Sequence, residues 1–68
     1  MDAVTKSVIE TIGDAGFVVM LSHVNGLHVI EATAKDTGEL FVVTGDDLYT
    51  TAVELAEQVG IEQEDAKA

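Results

Sequence analysis

Two histidines, His23 and His28, are the only imidazoles in the 68 residues, and they stand symmetrically about the dipeptide Asn25-Gly26. If that dipeptide is a two-residue hairpin turn, His23 pairs with His28 across two strands. Both rings then lie on one face of the hairpin, close enough to share a transition metal. A third strand continued in register past Thr44 places Asp46 opposite His28, where a carboxylate would complete a His23, His28 and Asp46 ligand set. The plainer alternative is a pair of turn-proximal histidines at the rim of the core, satisfied without any ligand.

Little else in the chain is chemically reactive. Without cysteine there is no disulfide, thiolate metal site or thiol nucleophile. Ser22 and His23 are neighbours in one strand and point to opposite sides of it, so they cannot form a nucleophile-base pair. Gly13-Asp14-Ala15-Gly16 lacks the lysine and the preceding strand that a phosphate-binding loop needs. Gly45-Asp46-Asp47 superficially matches the acidic pair of metal-dependent polymerases, but a helix cap accounts for it fully. The expectation is a protein that is not an enzyme and needs no cofactor.

Thirteen Asp and Glu against three lysines and no arginine leave a net charge of −10. Nucleic-acid binding rests on cationic side chains neutralising phosphates, so direct binding to DNA or RNA is disfavoured, as is an anionic membrane surface. A charged partner would be basic. Asp46, Asp47, Glu54 and Glu57 gather on the predicted second helix as a candidate acidic docking face, in the extreme case a mimic that blocks a basic nucleic-acid-binding protein. A merely solvated helix face is the alternative. The start, Met1-Asp2, has no basic region ahead of an apolar core, and the apolar runs are too short to span a bilayer. A cytoplasmic location is therefore expected.

The elements that must position these residues follow from periodicity and turn chemistry. Asp2 to Ile12 reads as a helix capped by Asp2, with Val4, Val8, Ile9 and Ile12 as its apolar stripe and Gly13 as its left-handed stop. Phe17 to Val24 and Leu27 to Ala34 are strands joined by a type I′ turn, which needs φ > 0 at both Asn25 and Gly26. In that register Phe17, Val19, Leu21, His23, His28, Ile30, Ala32 and Ala34 share one face. Val18, Met20, Ser22, Val24, Leu27, Val29, Glu31 and Thr33 share the other.

Lys35 to Glu39 suits a three-residue loop with Gly38 left-handed and Lys35 opposite Glu39. Strand three, Leu40 to Thr44, then sends Leu40 and Val42 to the Phe17/Ile30 face and Phe41 and Val43 to the Met20/Val29 face. A second helix follows, capped by Asp46 or Asp47. Leu48, Ala52, Val53, Leu55, Ala56 and Val59 form its stripe, with a stop at Gly60 and a hydrophobic contact from Ile61.

The expected fold is α+β: α-β-β-β-α, a three-stranded antiparallel meander packed by two helices. It is one domain over residues 1–61 with a disordered acidic tail over 62–68. Double-stranded-RNA-binding domains share this order of elements, but the second helix, opening GDDLYTTAVELA, has no lysine cluster for phosphates.

Both sheet faces are apolar. With both helices on one side, Val18, Met20, Val24, Leu27, Val29, Phe41 and Val43 would face water, and an apolar patch of that size marks an interaction surface. The expected function is a small acidic protein-interaction module, homodimeric through that face. The alternatives are a metal- or small-ligand-binding protein using the histidine pair, or the acidic mimic. A helix on each side of the sheet would leave a monomer.

Overall fold

The structure, a computed structural model, describes residues 2–61. The acidic tail expected over residues 62–68 lies outside the described residues. The hairpin forms as its turn dictates. Asn25 at φ 53° and Gly26 at φ 79° adopt the paired left-handed conformations of a type I′ turn. β1 (Phe17–Val24) and β2 (Leu27–Ala34) pair antiparallel from Phe17 opposite Ala34 to Val24 opposite Leu27. β3 (Leu40–Gly45) lies on the other side of β2, giving the sheet order β1-β2-β3. With α1 (Ala3–Asp14) before the sheet and α2 (Leu48–Gln58) after it, the chain is α-β-β-β-α, an α+β fold.

The register of β3 differs from the sequence expectation by one residue. Ala34, not Lys35, is opposite Glu39: the Ala34 N–H donates to the Glu39 carbonyl at 2.9 Å, and the Gly38 N–H donates to the Ala34 carbonyl at 2.8 Å. Lys35 to Gly38 thus form a four-residue loop, with Gly38 left-handed at φ 77°. Because side chains alternate with period two, the slip turns β3 over. Val43 now pairs with Ile30 and Phe41 with Ala32, on the helix side, while Leu40 and Val42 face away. Phe41 meets Phe17 edge-to-face at 6.0 Å between ring centroids, an arrangement aromatic rings prefer.

Gly45 supplies a steric reason for this register. It lies on the helix side opposite His28, and a Cβ there would run into the Thr51 hydroxyl of α2. Glycine at this point lets the helix approach the strand backbone closely. In the expected register Asp46 would occupy that position.

Both helices pack on this one face. Val8 and Ile12 of α1, Ala52, Leu55 and Ala56 of α2, and Ile30, Ala32 and Val43 of the sheet form a single buried core. The described chain measures 32 × 31 × 17 Å, a two-layer slab. α2 presents the stripe its spacing predicts and ends as expected. Gly60 is left-handed at φ 86°, its N–H donates to the Glu57 carbonyl, and the Ile61 N–H donates to the Ala56 carbonyl at 2.8 Å. Those two bonds are the Schellman pattern.

α1 departs from expectation twice. It runs through Gly13 to Asp14, and the left-handed residue is Gly16 at φ 103°. Val4 is 51 % exposed, and Thr5 takes the buried place in the stripe. The Thr5 N–H donates to the Asp2 carboxylate at 2.8 Å, the bond that caps the helix.

Candidate functional site

With the helices on one side, the opposite sheet face is open. Val18, Met20, Val24, Leu27, Leu40 and Val42 are all exposed there, Met20 at 62 % and Leu40 at 57 %. Val29 lies among them, half-buried. Of the seven residues expected on this face, Val18, Met20, Val24, Leu27 and Val29 are on it. Phe41 and Val43 are not: the β3 register turns them into the core, where Val43 is only 7 % exposed. Leu40 and Val42 take their places, so the face stays apolar although its β3 membership is exchanged.

Its one charged side chain is Glu31. The ladder sets Met20, Glu31 and Val42 side by side across the three strands, with Val29 and Thr33 as the next same-face residues along β2. Glu31 is half-buried at the centre of the central strand. None of the side-chain hydrogen bonds among the described residues involves it. Its membership of this face follows from the hairpin register alone.

The histidines do come together. His23 and His28 are direct cross-strand partners with ring centroids 4.7 Å apart and planes tilted by 40°. They lie on the helix side of the sheet but near the hairpin tip, where Leu21 on the same face is also exposed. The third ligand does not join them as expected. Gly45, not Asp46, is opposite His28, because the β3 slip moves every residue of that strand by one place. Among the described residues no group of three or more His, Cys, Asp or Glu is arranged to hold a metal ion.

Asp46, Asp47, Glu54 and Glu57 are exposed around α2, but they are not equivalent. Asp47 is the cap: its carboxylate accepts from the Thr50 N–H and from the Thr50 hydroxyl, both at 2.8 Å. Those bonds, the backbone one foremost, hold its carboxyl below the ordinary range, with a smaller contribution from His28. The Thr5 hydroxyl and N–H do the same for Asp2 at the start of α1. A carboxylate engaged in its own helix cap is less available to a partner; among the described residues of this region Asp46, Glu54 and Glu57 take part in no such cap.

Comparison of the chain with protein-family models, with characterised proteins and with solved structures finds no match. No helix of the described residues is long and apolar enough to cross a membrane.

Proposed function

We propose that this protein is a small, non-enzymatic interaction module that docks protein through the open face of its sheet. The observation that carries the reading is the placement of both helices on one side, which leaves six large apolar side chains exposed together on the other. Single exposed apolar residues are ordinary on protein surfaces, whereas a contiguous apolar face is the usual mark of an interface. Met20 suits this use, since its flexible, polarisable side chain adapts to irregular partner surfaces.

The test is a photo-cross-linking residue placed at Met20 or Val42, compared with one at Glu54 on the exposed side of α2. Adducts formed at the two sheet positions and not at Glu54, whether with another protein or with a second copy, support docking. Absence of adducts at Met20 and Val42, or equal labelling at Glu54, refutes it.

A second reading rests on the histidine pair. Two imidazoles with centroids 4.7 Å apart can chelate one zinc or nickel ion, whose remaining positions water would fill. Titration with either ion should move the ring resonances of both histidines together at one-to-one stoichiometry. Unchanged rings would eliminate this reading.

A further inference from the structure

We propose that the occupant of the open sheet face is a basic amphipathic helix of another protein, with Glu31 paired to an arginine or lysine set within that helix's apolar stripe. The inference rests on the docking reading above and adds the chemistry of the partner.

Dimensions argue for a single helix. Three strands spaced by about 4.8 Å put the outer strand axes roughly 10 Å apart, the width of one α-helix with its side chains. Eight-residue strands such as β1 and β2 run for roughly 26 Å, the length of about 17 helical residues. Such a face offers on the order of 400 Å², about half of the 800 Å² that each partner contributes to a standard stable interface. A second globular copy would have to gain the remainder from flanking surfaces of a chain carrying −10.

Charge argues for a basic partner, and Glu31 fixes where the charge belongs. Any occupant covering Met20 and Val42 also covers Glu31 between them. Desolvating a carboxylate without a partner is costly, and a two-fold axis through the face centre would bring two Glu31 carboxylates together. A cation at the middle of the incoming apolar stripe removes that cost. Arginine suits the place best, because its planar guanidinium keeps two bonds to one carboxylate. The same requirement turns away purely apolar helices, which would leave Glu31 buried and unpaired.

The experiment titrates the full chain, observed by NMR, with two synthetic helical peptides of about 18 residues. Both carry a leucine stripe and lysines on the flanks; one has arginine at the centre of the stripe, the other glutamine. The expected result is that the arginine peptide shifts Met20, Val29 and Val42. The glutamine peptide should bind about tenfold more weakly, the loss anticipated for a charge-assisted pair. In Glu31→Gln the two peptides should bind alike. Glu31 is half-exposed and takes part in none of the side-chain hydrogen bonds among the described residues, so this variant should keep the wild-type spectrum elsewhere.

Equal binding of both peptides to the wild-type face would overturn the pairing while leaving docking intact. A dimer by sedimentation that strengthens in Glu31→Gln would make the occupant a second copy, again overturning the inference alone. Absence of shifts with either peptide would overturn it too. The docking reading itself falls only if cross-linking at Met20 and Val42 also fails.

Discussion

Replacing Gly45 with alanine tests the packing of α2 on the sheet and, through it, the β3 register. Gly45 has no left-handed backbone requirement, so alanine adds only a methyl group and any cost is steric. That methyl meets the hydroxyl of Thr51, a residue only 1 % exposed whose Oγ1 also donates to the Asp47 carbonyl at 2.7 Å. Neither backbone can yield freely, because β3 is tied to β2 and α2 begins at Leu48. Overpacking of this kind costs about 1–3 kcal/mol. In a domain this small each kcal/mol moves the melting temperature by roughly 4–8 °C, so a middle value of about 2 kcal/mol lowers it by roughly 8–16 °C.

The decisive measurement is a double-mutant cycle by thermal and denaturant unfolding. Thr51→Ala removes the obstructing oxygen and leaves its Cβ 3.5 Å from the new methyl, an ordinary contact. Alone it should cost about 1 kcal/mol, since the Asp47 carbonyl still accepts the Thr51 N–H at 3.0 Å. The double variant should be no less stable than Thr51→Ala, and a coupling energy of at least about 1 kcal/mol is expected. A Gly45→Ala protein within about 0.5 kcal/mol of wild type, or strict additivity in the cycle, would refute the close approach and the register built on it.

Alternate residues of β3 should respond in opposite ways: Phe41→Ala and Val43→Ala each lose about 1.5 kcal/mol or more in chemical denaturation, whereas Leu40→Ala and Val42→Ala stay within about 0.5 kcal/mol. The reverse pattern would restore the register expected from sequence. Asp47→Ala should lower the melting temperature at neutral pH, and Asp47→Asn should preserve most of it. Since hydrogen bonds depress the Asp47 carboxyl below 3.8, its contribution is present in full above that value and disappears as pH falls through the lower, folded-state value. A wild-type and Asp47→Asn pair with the same acid-unfolding profile would contradict this. Gly26→Ala forces a Cβ into a left-handed turn position at φ 79° and should cost about 1 kcal/mol by denaturant titration, while Asn25→Gly should be nearly neutral.

The parts of the fold legible from sequence are those where local chemistry permits one geometry. Asn25-Gly26 selects a two-residue turn, and the turn type alone fixes every β1–β2 pair, the meeting of the histidines and the place of Glu31. Gly60 followed by Ile61 likewise allows one ending for α2. Lys35 to Glu39 is different, because a left-handed Gly38 serves a three- or a four-residue loop equally well. Tertiary packing decides between them: burying Phe41 against Phe17 and placing a residue without Cβ beneath Thr51 both require the longer loop. Gly45 was the available clue, since a glycine near a strand end commonly marks a close backbone approach. The third metal ligand depended on the same loop, so the Asp46 expectation failed with it. Gly13 and Gly16 pose a similar ambiguity at the end of α1, and Val4 and Thr5 exchange roles because the helix is aimed by its packing against the sheet and α2.

β1 stands at one edge of the sheet, and from Phe17 to Val24 it contains no acidic residue, lysine, arginine or proline. Edge strands are ordinarily guarded by such residues, because their free N–H and C=O groups template pairing with other chains. The opposition to such pairing here is collective: a net charge of −10 makes the molecules repel one another and disfavours the meeting of two β1 edges. That opposition is lost where the net charge vanishes, near the isoelectric point of about 4.1, and weakens as salt screens the repulsion. Mild acid is therefore the condition under which edge-to-edge assembly of this chain into sheets should be most favoured.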